Sequence, residues 1–213
     1  LRIAATATIA ELLALPTNPT WTAQPLFRQA AECLLASHKV WESATIGGNV
    51  AQSFAAGAMI SMAATLDGVA EVWRADGTDA RVRVADVPAG NGVNSLDRGD
   101  VIRAIELPGA ALRSRTALRK IALAELGRSG AVLTGRLDPD GAALFVITAA
   151  TLTPVELRFD ALPTAEQLLF TTEIAPGYYT DPLGAADWRR QVTGVLLVEV
   201  LEELRAGAAG GAA

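Results

Sequence analysis

The 213-residue sequence predicts an α+β fold divided into two units, with helices and antiparallel strands occupying separate stretches of chain. Three observations carry that expectation. Apolar residues make up 51% of the chain, enough to bury a sizeable core. Between residues 69 and 159, short apolar runs are separated by turn-forming Asp-Gly and Pro-bearing stretches, the pattern of hairpin strands. The chain then closes on a stretch that places Trp188, Val192, Val195, Leu196 and Val200 on adjacent faces of one long helix.

The elements follow in order. Residues 1–5 read as extended. Thr8 and Glu11 stand three apart, the spacing of a capping box, so a short helix opens there and stops at Pro16. Pro25 suits the first turn of a second helix, along which Leu26, Phe27, Ala30, Ala31, Leu34 and Leu35 recur at helical spacing. The element that follows is expected to end in a glycine turn at Gly47-Gly48. A helix is expected over 59–66, then the Asp67-Gly68 turn, then two strands over 69–74 and 81–84 around Asp76-Gly77. Residues 88–100 read as a long loop and 101–107 as a strand running into Pro108. A boundary is placed near 108–111. Beyond it, strands at 131–137 and 142–150 flank the hairpin loop Asp138-Pro139-Asp140-Gly141, and a further extended piece covers 153–159. A short helix opens near Pro163, and the final helix covers 185–204. The Ala/Gly tail has nothing to bury and is expected to fray.

Composition excludes several functions. The net charge of −5, with no basic block, disfavours nucleic acid as a partner. Cys33 is the single cysteine, so the chain has no internal disulfide and no cysteine-ligated cluster of its own. The longest apolar stretch, 54–66, is too short and too rich in small residues to span a bilayer, and no secretory signal is present. A soluble cytoplasmic protein is expected, with its true start upstream of Leu1. No catalytic or metal-binding residue is assigned. His38 reads as a solvent-facing helix-end residue, Asp138 and Asp140 as turn formers, and Glu199, Glu202 and Glu203 as a solvated helix face. Tyr178 and Tyr179 lie in a loop and face either a partner or the core.

The most informative stretch is Thr45-Ile46-Gly47-Gly48-Asn49. Adjacent glycines permit positive φ and remove the β-carbons that block a ligand. Successive amides in such a turn can converge on a phosphate oxygen, and a Thr hydroxyl and an Asn amide add uncharged hydrogen bonds. Ile46 is expected to anchor the turn in the core. The run is neither a Walker loop nor a Rossmann fingerprint, and on residues alone it is as consistent with a plain turn.

Ala44-Thr45-Ile46-Gly47-Gly48-Asn49 resembles the second FAD motif of the molybdenum hydroxylase flavoproteins, the medium subunits of carbon monoxide dehydrogenases and the flavin domains of xanthine dehydrogenases. The resemblance extends along the chain. Thr8-Ile9-Ala10-Glu11-Leu12 is similar to the helix before that motif. The run 99–108, ending in Leu107-Pro108, is similar to a Gly-Glu-Ile-Ile segment. Leu118-Arg119-Lys120-Ile121 is similar to the start of the C-terminal domain, and Asp187-Trp188-Arg189-Arg190 to the opening of its last helix.

This resemblance implies the C-terminal half of a PCMH-type FAD-binding domain over 1–108, its first subdomain absent. A small domain of antiparallel sheet packed by helices, similar to the carbon monoxide dehydrogenase flavoprotein C-terminal domain, would follow over 109–206, with a disordered tail over 207–213. It implies FAD bound by Thr45, Ile46, Gly47, Gly48, Asn49, Gln52, Ile102 and Lys120. It further implies a small subunit with [2Fe–2S] clusters and a large molybdopterin subunit as partners, with FAD passing electrons to NAD or another acceptor. An alternative is a subunit that keeps the fold for interaction and has lost FAD. Two departures stand out. The stretch after Asn49 lacks the family's Asp, and Leu126-Gly127-Arg128-Ser129 offers Arg128 where the family places an aromatic or aliphatic residue against the flavin.

Overall fold

The computed structural model describes residues 1–125 and 127–209, the last two by their backbone alone. Strand β1 (Arg2–Ala4) leads into α1 (Ile9–Leu13). The Thr8 hydroxyl accepts from the Glu11 amide at 3.1 Å, and the Glu11 carboxylate accepts from the Thr8 amide at 2.7 Å, so the capping box forms as its spacing predicts. Pro25 opens α2 (Pro25–Glu32), which buries Leu26, Phe27, Ala30 and Ala31. The helix stops before Leu35, which is left exposed although it continues the apolar stripe. Helices α3 (His38–Trp41), α4 (Ile46–Gln52) and α5 (Ala58–Thr65) follow.

Strands β2 (Val69–Trp73) and β3 (Asp79–Arg83) form a hairpin whose Gly77 takes φ +85°, a conformation that disfavours a side chain. The stretch read as a long loop contains a small hairpin, β4 (Pro88–Gly90) and β5 (Val93–Asn94), turned at Asn91-Gly92. Strand β6 (Val101–Glu106) returns between β1 and β2, giving an antiparallel sheet of order β1-β6-β2-β3.

After the single turn α6 (Gly109–Leu112), strands β7 (Arg115–Ala122), β8 (Ser129–Leu137), β9 (Ala143–Thr148) and β10 (Val155–Phe159) form a second antiparallel sheet of order β10-β9-β8-β7. Strand β7 has no apolar alternation to announce it. Its Arg119 reaches instead to Glu199 and Glu203 at 3.0 and 2.7 Å. Helices α7 (Ala165–Glu173) and α8 (Ala186–Ala209) complete the chain. Helix α8 carries helical backbone into the segment expected to be disordered from 207, because residues 207–209 simply extend its last turn; residues 210–213 lie outside the described residues.

Among the described residues three hydrophobic clusters form, the smallest of Ala64, Leu144 and Val146. Of the larger two, one gathers the helices of the first 112 residues around the first sheet, and the other packs α7 and α8 on the second sheet. Helix α5 lies where they meet. It packs on α2 and α4 on one side and on β8 and β9 on the other, and all eight of its residues are buried. Its polar side chains are matched across that contact: the Ser61 hydroxyl pairs with Thr148, and that of Thr65 with Thr134. Just beyond its end, the buried Arg136 donates to the Thr65 carbonyl at 2.7 Å and pairs with Asp67 at 2.6 Å and Asp138 at 2.8 Å. The last helix is seated by Trp188, whose ring covers the bare backbone of Gly130 and Gly184. The fully buried Arg189 pairs with Asp181 and donates to the carbonyls of Gly130 and Ala149.

Candidate functional site

The glycine pair is not a turn. Thr45 is the N-cap of α4, with φ −100° and ψ 156°, and Ile46, Gly47 and Gly48 form the helix's first turn. Neither glycine takes positive φ. The amides expected to wrap a phosphate are already satisfied within the protein. Ile46 N–H donates to the Ala7 carbonyl and Gly47 N–H to the Ala5 carbonyl, both at 2.9 Å; Asn49 N–H donates to the Thr45 carbonyl at 3.0 Å. Gly48 N–H donates to the Thr45 hydroxyl at 3.0 Å. The amide-nest picture is therefore overturned. A segment that enters a helix directly from a capping Thr, with residues 5–7 after β1 lying against it, uses its amides for folding.

The two glycines do different work. A β-carbon on Gly47 would stand 2.4 Å from the Ala5 β-carbon, so Gly47 lets α4 press onto the segment after β1. Gly48 is exposed. Its own β-carbon would meet the Thr45 hydroxyl at 2.7 Å, so a side chain there would disturb the cap.

A different arrangement emerges from the side chains. Thr45, Gly48, Asn49 and Gln52 recur at intervals of three and four, so they share one helix face. That face is open to solvent, while Ile46, Gly47 and Val50 face the core. The Thr45 oxygen accepts from Gly48, which leaves its hydroxyl proton to donate. The Asn49 carbonyl oxygen accepts from Met59 N–H at 3.0 Å and so caps α5; its NH2 group is left to donate outward. Gln52 adds an exposed amide one turn on. The result is a stripe of uncharged donors around the side-chain-free backbone of Gly48. Such a stripe can hydrogen-bond phosphate or ribityl oxygens without neutralising their charge.

A β-carbon on Gly57 would stand 2.7 Å from Ile60 Cδ1 and 2.9 Å from the Phe54 carbonyl oxygen, so this packing leaves little space for a side chain there. Gly57 offers α5 no side-chain cap, and Asn49 supplies it.

The remaining expected residues are not all brought together. Ile102 lies on β6, a strand on which α4 packs, but it is 8% exposed within the first core and offers no open contact surface. Lys120 lies on β7, whose main neighbours are β8, α8 and α2, and does not join the stripe. Burial pushes the Cys33 thiol up to about 11, and the positive charge of Lys120 acts against that shift. Arg119 is engaged with α8. Leu126 lies outside the described residues. His38 is exposed and meets the Trp41 ring edge-on at 4.7 Å. Tyr178 and Tyr179 cover Arg190 and Arg189 at 5.2 and 4.3 Å. Among the described residues no group of acidic, His or Cys side chains is placed to hold a metal ion, and no helix is long and apolar enough to cross a membrane.

The β4–β5 hairpin closes over the end of α4, an arrangement read in the sequence only as loop. Asn94 Nδ2 donates to the Ala51 carbonyl at 2.8 Å, Gly92 N–H to the Ser53 carbonyl at 2.9 Å, and Ala55 N–H to the Asn91 side chain at 3.0 Å. The Asn91-Gly92 pair is a hairpin signal that marks this feature. The main surface clefts lie elsewhere: about 650 Å3 between α1 and α2, and about 440 Å3 along β1 and α1. The stripe is an open face and not a pocket within this chain.

No family model and no curated protein matches the sequence. The fold does match solved structures. Over 96% of this chain and 75% of the other, it superposes on a chain of reconstituted CO dehydrogenase from Oligotropha carboxidovorans with a TM-score of 0.83 at 21% identity. Quinoline 2-oxidoreductase from Pseudomonas putida 86 gives 0.80 at 20% identity, over 98% and 75%. Carbon monoxide dehydrogenase from Hydrogenophaga pseudoflava, in a form lacking the Mo-pyranopterin moiety, gives 0.78 at 18% identity, over 96% and 75%. The chain thus has the fold of subunits from molybdenum hydroxylases, the family its motifs resemble.

Proposed function

We propose that this chain is the FAD-binding, electron-transferring subunit of a heteromeric, molybdopterin-dependent dehydrogenase or hydroxylase. The observation that carries the reading is the uncharged donor stripe Thr45–Gly48–Asn49–Gln52, left open on one face of α4 in a fold shared with CO dehydrogenase and quinoline 2-oxidoreductase chains. Thr45 O–H and the Asn49 NH2 are the donors offered to the pyrophosphate, Gly48 leaves the approach between them clear, and Gln52 serves the ribityl side. The diphosphate's second anchor is expected from a glycine loop outside these residues. Bound FAD would take electrons from [2Fe–2S] clusters of a small partner subunit, reduced by a large molybdopterin subunit, and pass them to NAD or another acceptor. The chain's own part is to bind, orient and tune. With this reading go the division into 1–108 and 109–206 and a cytoplasmic setting.

A second reading is a subunit that keeps the fold for interaction and holds no flavin. The engagement of all four backbone amides at 46–49 and the filled space at Gly57 favour it.

The visible spectrum of the purified full-length protein separates the two: flavin absorbance supports the first, and a colourless protein that assembles with its partners supports the second. Gly48→Val is expected to abolish FAD retention by placing a branched side chain in the stripe. The lost cap costs about 1 kcal/mol, so the variant still folds. Unchanged flavin content in Gly48→Val sinks the site assignment.

A further inference from the structure

We infer that Phe54 is a ring-stacking residue of this site, holding one planar heteroaromatic ring of the bound dinucleotide; the inference rests on the cofactor reading above. The stripe on α4 ends at Gln52, and Ser53 turns the chain out of the helix through a left-handed conformation with φ 50°. The next residue is Phe54, 51% exposed. An exposed phenylalanine leaves much apolar surface in water, and here the surroundings hold it in place. A β-carbon added to Gly92 would come within 3.3 Å of the Phe54 ring, so the ring rests over a residue that has no side chain and takes φ +77°. The bonds from Gly92 N–H to the Ser53 carbonyl and from Ala55 N–H to the Asn91 side-chain oxygen fix the backbone on both sides of Phe54. The ring is positioned without being buried. Val93 on the same hairpin is also exposed.

That sequence of surfaces matches the chemistry of a dinucleotide: an oxygen-rich diphosphate and sugar next to a flat ring. Aromatic side chains bind such rings face to face and tolerate their identity.

The test is a titration of FAD into the flavin-free full-length protein, followed by flavin fluorescence. Phe54→Ala and Phe54→Leu are expected to weaken binding by roughly 10-fold or more. Phe54→Tyr is expected to bind as the wild type does, and all three keep the wild-type melting temperature. Competition with ADP identifies the ring: a matching loss of ADP affinity in Phe54→Ala assigns adenine, and unchanged ADP affinity assigns the isoalloxazine. Wild-type FAD affinity in Phe54→Ala and Phe54→Leu overturns the inference while leaving the cofactor reading intact. A wild-type protein that takes up no FAD overturns both.

Discussion

The two four-stranded sheets are built alike and buried differently. In the first, β2 and β3 alternate between inward and outward residues, and the outer face carries Arg2, Glu71, Arg81, Arg103 and Glu106 in a surface ion-pair network. In the second, β9 is buried at every position and β8 at all but its last, because α5 covers one face and α8 the other. A sheet with one wet face tolerates charge and irregularity, while a sheet covered on both faces requires close packing throughout. The candidate site belongs to the first region. Helix α4 lies on β1 and β6 with one face uncovered, and that uncovered face makes ligand contact available.

Substitutions can sharpen this contrast. The largest loss is expected from Phe145→Ala in β9, where a fully buried ring packs edge-on against Phe159. Removing it leaves a cavity between sheet and helices and costs about 3–5 kcal/mol in chemical denaturation. A loss under about 1 kcal/mol would mean that the second sheet is loosely packed and the contrast false.

Arg136→Met ranks next, at about 2 kcal/mol, since it strips Asp67 and Asp138 of a buried partner while both keep other contacts and some solvent. Its effect depends on pH. Burial opposes ionisation of Asp67, but the hydrogen bond from Arg158 and the charge of Arg136 outweigh it and hold the carboxyl below the usual carboxylate range. A depressed carboxyl stabilises the fold above its unfolded value, and that stability is lost as the pH falls through the depressed one. The gap between wild type and Arg136→Met should therefore narrow on acidification below the ordinary aspartate range, which denaturation curves at several pH values will check.

The smallest effect is expected from Arg81→Ala on the wet face. Its pairs with Glu106 and Glu71 are exposed, and solvent replaces them. The denaturation midpoint should stay within experimental scatter. A shift as large as that of Arg136→Met would show that the ion-pair network acts as a unit.

Much of this architecture was legible in the residues, and the misses share a cause. The capping box at Thr8, Pro25 at the start of α2, the hairpin around Asp76-Gly77 and the last helix all rest on local signals and appear where expected. Strand β7 was missed because it lacks apolar alternation and its Arg119 serves partners 80 and 84 residues away. The small hairpin at 88–94 was missed because its strands are only three and two residues long. At the site, the geometry differs from the expectation. Adjacent glycines suggest a turn with free amides, but the carbonyls of Ala5 and Ala7 claim two of those amides from about 40 residues away.

The order of residues was enough to establish the α+β class, most element positions and the family resemblance, because caps, turns and periodicity act within a few residues. Folding in three dimensions decided which groups at 45–52 are free. That depends on which distant carbonyls reach the amides and which side chains fill the space at Gly57, and contacts of that kind arise only when separate segments pack together.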